Sequence, residues 1–261
     1  MKFVLKQEQF IDMLEKMLVK DIYPSSVLSI KGKTIYSIQK EEHARAIRFV
    51  KFSESYFESI DESKEESIDL NIEKVLKVIK NIPATVSLTI QTKGEKLLIS
   101  GEKPDGQVLD IKLTYNEPEG DVIKSLDDVN IKMKEGTPVV TEQQIPLDIQ
   151  FTIKLEDFKE ITSYASSLGT EFYRFFLENK KLGVRIGNLD ATSDEVTYYP
   201  KATIKKGEGL DVVYTYGIAQ IGETFEHDVM VCTKSNCPTW IYETIPKKYI
   251  LGLYIPPFEE G

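Results

Sequence analysis

Apolar residues recur at helical spacing from residue 71 to residue 82, in the segment NIEKVLKVIKNI. Lys74, Lys77 and Lys80 fall on the opposite face, and Glu73 is the one acidic residue in the segment. The apolar face comprises Ile72, Val75, Leu76, Ile79 and Ile82. The pattern predicts a short amphipathic helix whose exposed side carries three lysines, which we call the lysine stripe.

The same periodicity predicts further helices at residues 7–20, 155–168 and, more weakly, 218–225. The first has an apolar face that includes Phe10, and Lys16 and Lys20 lie on its flank. The second carries a single lysine, Lys159, between acidic neighbours. The third carries none and is bracketed by glycines, which lower helix propensity.

Alternation of apolar and polar residues predicts many short strands, joined by tight turns at Gly32, Gly94 and Gly106. Short connections of this kind join antiparallel neighbours. The predicted strands are residues 3–5, 27–30, 34–38, 44–52, 86–90, 97–100, 108–115, 149–154, 173–177, 183–186, 196–204, 210–214, 229–233, 239–243 and 249–255.

The order of these elements is repeated along the chain. A strand, a helix, strands, a second helix and more strands occur once before residue 116 and once after residue 146. The intervening segment is rich in acidic residues, Gly and Pro and has no sustained period, which predicts a linker that packs on the surface. The sequence therefore predicts an α+β fold with two similar domains, 1–116 and 147–261, joined by a linker, 117–146.

The acidity of the whole chain makes the lysine stripe a candidate binding surface. The 261 residues have a formal net charge of -9, so a basic stripe on this chain can hold a polyanion such as nucleic acid. The alternative is an ordinary solvated lysine face.

Composition argues against several other classes. The chain contains two histidines and two cysteines and has no Walker loop, zinc signature or nucleophile elbow, so an enzyme has little support. Cys232 and Cys237 form a weak metal signal, and two small residues in or beside a strand is the competing interpretation. No metal or cofactor is predicted. The absence of a long apolar run or a signal peptide predicts an intracellular protein with no membrane partner.

Several segments, in order, resemble the DNA sliding clamps of the proliferating-cell nuclear antigen (PCNA) type. IDLNIEKVLKVIKN is similar to the family's strand leading into a lysine-bearing helix. IKLEDFKEITSYASSLG and FFLENKKLGVRIGNLDA are similar to the helix and hairpin that open the second domain. CPTWIYE and LYIPPFEEG resemble the two closing strands. The resemblance covers nearly the whole chain.

The resemblance implies a DNA-clamp fold, with antiparallel sheets outside and two helices per domain inside. Such proteins form rings, usually homotrimers, that encircle duplex DNA without sequence preference and tether DNA polymerase and other replication or repair enzymes. They are placed on DNA by a clamp loader and have no active site, so the protein would be DNA-associated, in a nucleus or a prokaryotic cytoplasm. The implied DNA contacts are Lys16, Lys20, Lys74, Lys77, Lys80 and Lys159. Because the second domain is poor in lysine, we expect the first domain to dominate these contacts.

Client proteins of this family insert a short peptide, the PIP box, into a groove beneath the linker. The corresponding positions here are His43, Leu126, Pro238, Tyr254, Pro256 and Pro257. Pro256 replaces the Ala that is usual before the last proline, which removes a backbone donor and predicts an altered peptide preference.

Ring closure in this family uses edge strands at the two ends of the subunit. The matching positions are Val108, Leu109, Ile111 and Leu113 on one side, and Val184 and Ile186 on the other. A subunit of a heteromeric or checkpoint-type clamp, and a viral processivity factor that forms no ring, remain as alternatives.

Overall fold

The chain divides into two compact units that are not contiguous in sequence. The computed structural model describes residues 1–18, 25–40, 46–61, 63–82, 87–103, 105–118, 131–134, 137–140, 145–147, 149–170, 172–187, 194–207, 209–215, 224–234 and 237–255. Unit 1 comprises Met1–Gln39, Phe49–Val129 and Ile245–Ile250, and unit 2 comprises Lys40–Arg48, Asn130–Thr244 and Leu251–Gly261. The sequence predicted contiguous domains, whereas a short segment of each half groups with the other unit.

Three helices lie within the described residues, α1 (Gln7–Met17), α2 (Ile72–Lys80) and α3 (Leu155–Leu168). The strands are β1 (Lys2–Lys6), β2 (Ser25–Gly32), β3 (Thr34–Lys40), β4 (Ile47–Phe52), β5 (Ser59–Ile60), β6 (Ser63–Asn71), β7 (Ser87–Lys93), β8 (Lys96–Glu102), β9 (Val108–Thr114), β10 (Ile131–Lys134), β11 (Thr137–Val140), β12 (Ile145–Pro146), β13 (Ile149–Ile153), β14 (Phe172–Glu178), β15 (Lys181–Gly187), β16 (Glu195–Tyr198), β17 (Ala202–Lys206), β18 (Asp211–Thr215), β19 (Val229–Thr233), β20 (Thr239–Ile245) and β21 (Tyr249–Ile255). The α+β prediction is confirmed.

Unit 1 contains an antiparallel sheet in the order β5-β1-β7-β8-β9 and a second group of strands in which β2 lies between β3 and β6. Alternate residues of the first sheet, such as Phe3, Leu88 and Ile99, are buried. Helices α1 and α2 pack against each other. Gln7 at the start of α1 donates from Nε2 to the carbonyls of Ile79 and Ile82, at 2.9 and 2.7 Å, and so satisfies the C-terminal end of α2.

Unit 2 contains a four-stranded antiparallel sheet in the order β16-β15-β14-β18 and a run of strands in the order β17-β13-β19-β20-β21. Helix α3 packs on β15 and β16 and ends at Gly169, which adopts the left-handed conformation (φ 62°) of a C-terminal cap. Its core is aromatic: Phe158 of α3 meets Phe225 edge-on, with ring centroids 5.6 Å apart.

Three predictions of local structure need revision. The strand predicted at 196–204 is wrong, because β16 and β17 are separate strands on either side of Pro200. The resemblance indicated a strand at IDLN before α2, but the first half of β6, SKEES, was missed because it is polar and charged and its pairing with β2 is visible only in three dimensions. The predicted linker contains a small antiparallel sheet, β10-β11-β12. The weak helix at 218–225 lies almost entirely outside the described residues.

Candidate functional site

The lysine stripe lies on helix α2, whose two ends are both hydrogen-bonded by side chains. Asn71 caps α2, its Oδ1 accepting from the Lys74 amide at 2.8 Å. The apolar face is buried in unit 1, and Lys74, Lys77 and Lys80 are exposed. Lys80 forms an ion pair with Glu15 of α1 at 2.6 Å. No ion pair to Lys74 or Lys77 is seen in the part of the chain that the structure describes, so these two present full charges to solvent.

Lys16 does not share this surface, contrary to the prediction from the sequence. Its side chain is 3% exposed, pairs with Asp12 and lies 4.8 Å from the centre of the Tyr249 ring. Tyr56 donates to the same Asp12 carboxylate at 2.6 Å. A lysine held this way is unavailable to a polyanion, so its assignment as a DNA contact is corrected. Lys20 lies outside the described residues.

Helix α3 presents a different chemistry from α2. Lys159 is exposed, but so are Glu156 and Glu160. Tyr198 of β16 lies 2.6 Å from Asp157 and 2.8 Å from Glu160, and since its hydroxyl carries one hydrogen it donates to one carboxylate at a time. Burial, together with these two carboxylates, raises the pKa of Tyr198. The exposed side of α3 therefore offers one lysine among acids.

An aromatic cluster occupies the predicted client-peptide region of unit 2. Pro238 is half-buried just before β20, and Tyr254 is half-buried in β21. Trp240 packs edge-on against Tyr254, with centroids 6.2 Å apart, and against Tyr242 at 6.1 Å. We call Pro238, Trp240 and Tyr254 the aromatic cluster; Trp240 is buried, so Pro238 and Tyr254 are the members that reach the surface. The sequence interpretation named the first and last and missed Trp240, although it is the chain's one tryptophan, two residues after Pro238. His43, Leu126, Pro256 and Pro257 lie outside the described residues.

Strand β9 is an edge strand, as the interface prediction requires. Within the described chain it pairs on one side only, with β8. Leu109 and Ile111 are half-buried and Leu113 is buried, whereas Val108 is 73% exposed. The other face of β9 carries Asp110 and Lys112, both exposed.

Strand β15 is not an edge, and the prediction for Val184 and Ile186 is corrected. Both side chains are fully buried, and β15 pairs with β14 on one side and β16 on the other. The edge strands of this sheet are β16, beside β15, and β18, beside β14, and Tyr199 just beyond β16 is 55% exposed. The sequence interpretation missed the β16 edge because it joined β16 and β17 into one strand.

No helix in the described chain is long and apolar enough to span a membrane. The same residues hold no cluster of three metal-ligating His, Cys, Asp or Glu side chains. Cys232 and Cys237 are both unbridged, and burial raises the pKa of the Cys232 thiol to about 11.

Comparison with known proteins defines the class of fold. The sequence matches no protein-family model and no curated protein. Among solved structures, the chain is similar to PCNA from Entamoeba histolytica, with a TM-score of 0.75, 12% identity, and 99% of this chain and 98% of that chain covered. It is also similar to an A. fulgidus PCNA bound to the C-terminal region of FEN-1, with a TM-score of 0.70, 10% identity, and 100% and 99% covered.

The chain therefore has the fold of a DNA sliding clamp over its whole length. The particular clamps that it resembles are of the PCNA type, as the sequence segments indicated.

Proposed function

We propose that this protein is a subunit of a ring-shaped DNA sliding clamp, which encircles duplex DNA and tethers DNA polymerase and other replication or repair enzymes. The observation that carries the proposal is the PCNA-type fold over the whole chain together with an exposed lysine stripe on an acidic protein. Such a protein is a scaffold, and no catalytic step is assigned to it. Tethering acts by raising the local concentration of the tethered enzyme.

DNA contact is assigned to Lys74 and Lys77, with Lys80 contributing once it leaves Glu15. Contacts from lysine to phosphate carry no sequence information, and a protein held by them alone can slide. Lys159 is a weaker candidate because Glu156 and Glu160 share its face. Lys20 stays a prediction.

Ring closure is assigned to β9 of one copy and β16 of the next, in antiparallel pairing. The side chains that face inward, Leu109 and Ile111 on β9 and Val196 and Tyr198 on β16, must lie on one side of the joined sheet. One register satisfies this condition and also brings opposite charges together. It sets Ile111 opposite Val196, Lys112 opposite Glu195, and Val108 opposite Tyr199. The two exposed apolar residues at the strand ends then cover each other.

Neighbouring registers are less favourable. A shift of two residues in one direction sets Asp110 opposite Glu195, and like charges directly opposite each other destabilise a sheet. The opposite shift sets Thr114 against Glu195 and loses the ion pair. Arg185 lies 3.5 Å from Glu195 within the same chain and shares it with Lys112 in the proposed register. We propose a homotrimer, with a heteromeric clamp as the alternative.

Client binding is assigned to the aromatic cluster with His43, Leu126, Pro256 and Pro257 as further predicted contacts. The A. fulgidus PCNA in the comparison carries the C-terminal region of FEN-1, which supports a peptide-binding role for this fold. By the same reasoning the partners are DNA polymerase, other PIP-box proteins and a clamp loader, and the protein acts in a DNA-containing compartment.

Topological retention tests the proposal. The protein is incubated with linear duplex DNA that carries biotin at both ends, streptavidin is added to block the ends, and the DNA is washed at high salt. A ring that has threaded onto the DNA stays until a restriction enzyme cuts between the blocks. Loss in the wash would contradict encirclement, and a monomeric mass at micromolar concentration would favour the non-ring processivity factor.

A further inference from the structure

Unit 2 contains a cavity of about 640 Å³. It lies between the turn that joins β14 to β15 and strand β17, and its volume is in the range of ligand-binding pockets. Leu177, Ala202 and Ile204 give it half-exposed apolar walls. Gly207 and Gly209 also line the cavity and add no side chains to it.

One wall of the cavity is the unpaired edge of a sheet. Within the described chain β17 pairs with β13 alone, and Ala202, Thr203 and Ile204 line the cavity. Lysines and bulges often protect sheet edges from pairing, and both occur here at Lys205, the extra residue where the register shifts. Residues 202–204 are regularly paired with β13, so the edge is unprotected over these three residues, and the bulge lies between them and the two lining glycines.

Lys180 occupies a position where its backbone is strained. The β14–β15 turn places Asn179 (φ 51°) and Lys180 (φ 62°) in the left-handed region, the geometry of a two-residue hairpin turn that favours Asn followed by Gly. Asn179 suits its position, but a lysine at the second is disfavoured. Strain of this kind accumulates at functional sites, and the Lys180 side chain lines the cavity.

Lysines outnumber acidic residues around the cavity, although the whole chain is acidic. Lys180 in the turn, Lys181 at the start of β15 and Lys205 on β17 are exposed, in a protein of net charge -9. Lys201 forms an ion pair with Glu156 at 3.9 Å, and Glu178 before the turn is the one exposed acid on this hairpin beside the cavity. Apolar walls, a free strand edge and a local excess of cations together fit an extended chain that carries an acidic side chain. A free carboxylate would accept a charge-assisted hydrogen bond from the Lys180 ammonium.

We propose that this cavity binds an extended peptide segment of another protein, which pairs with Ala202–Ile204 of β17 and sets an acidic side chain against Lys180. The site shares no residue with the lysine stripe or the aromatic cluster, and the proposal does not depend on ring formation or DNA binding.

The test begins with a phage-displayed library of random peptides, selected on the full-length protein after depletion on an Ile204→Asp variant. The enriched peptides are synthesised with a fluorescent label, and their affinity is measured by anisotropy. We expect sequences that alternate β-branched or apolar residues and include Asp or Glu. Lys180→Gly is expected to weaken their binding about tenfold or more, the effect of losing a hydrogen bond between charged groups.

The Lys180→Gly variant also distinguishes a binding role of Lys180 from a purely structural one. Lys180→Gly relieves a strained backbone, so it should raise the melting temperature while it weakens peptide binding. Lys247→Gly is the matched control, since Lys247 also has a positive φ (66°) in a hairpin turn, between β20 and β21. It should raise the melting temperature and leave peptide binding unchanged.

Three results would overturn the proposal. The first is a selection in which no peptide is enriched on the wild type over Ile204→Asp. The second is equal affinity of the enriched peptides for the wild type and Lys180→Gly. The third is a dependence on Lys180 that appears with a duplex DNA oligonucleotide and not with peptides, because the turn would then belong to a polyanion surface.

Discussion

Exchanging the charges of Lys112 and Glu195 tests the proposed ring at the level of single residues. Lys112→Glu would set two glutamates opposite each other across every junction, and Glu195→Lys would set two lysines there. The double variant restores an opposite-charge pair with its sign reversed. If β9 and β16 pair in the proposed register, each single variant weakens assembly and the double variant recovers part of the loss. The recovery is partial because the new lysine at position 195 lies beside Arg185.

The expected effect on assembly follows from the exposure of the two side chains and from the three equivalent junctions of the ring. Both side chains are exposed, and the Glu195 side chain is 47% accessible in the free subunit, so losing the attraction and adding a repulsion should cost about 1 kcal/mol per junction. Three junctions give about 3 kcal/mol, or roughly a 150-fold change in the assembly constant. Because three monomers form one ring, the concentration at half-assembly varies as the square root of that constant and should rise about tenfold.

The assay is the mass distribution across a dilution series, by mass photometry or sedimentation, at low and at moderate salt. The single variants should lose more of their assembly at low salt, where surface charges are least screened. Asp110→Asn is the matched control, since Asp110 lies on the same face of β9 but faces Thr197 in this register. A double variant that assembles no better than the worse single variant would refute the register, even if the wild type forms rings.

Three further predictions concern other parts of the molecule. Replacing Lys74 and Lys77 together with glutamate should reduce clamp-dependent DNA synthesis much more than Lys159→Glu, and equal losses would contradict the assignment of DNA contact to α2. Glu243→Ala should lower the free energy of unfolding by about 3 kcal/mol, because this fully buried carboxylate accepts hydrogen bonds from the backbone N–H groups of Glu226 and His227, each of 2.7 Å. A loss under about 1 kcal/mol in urea titrations would show that these two N–H groups find other partners. Trp240, the one tryptophan, is buried but packs edge-on against half-buried Tyr254, so a PIP-box peptide that contacts Tyr254 should change the fluorescence of Trp240. A saturable binding signal with no change in that fluorescence would place the peptide away from Tyr254.

The sequence was most informative where a local pattern matches the local environment. The lysine stripe and its buried face follow from spacing alone, and α2 begins at the Asn cap that the segment itself supplies. Helix α3 occupies the predicted residues because its apolar period and its terminal Gly169 agree. The resemblance to PCNA-type clamps, drawn from short segments, is confirmed by the comparison of whole folds.

The sequence misled where the decisive partner is distant along the chain. Lys16 resembles a flank lysine on a helical wheel, but Tyr249, far along the chain, covers it, and Asp12 neutralises it. The boundary between β16 and β17 also depends on pairing, since the two strands belong to different sheets.

The sequence by itself determined the lysine stripe and the antiparallel α+β pattern, because hydrophobic period and turn chemistry are local properties. Only the tertiary structure decided which lysines are exposed, which strand forms the second edge, and that Trp240 joins Tyr254. Exposure and edge status depend on which segments pack together, and that choice is made by the burial of residues far apart in the chain.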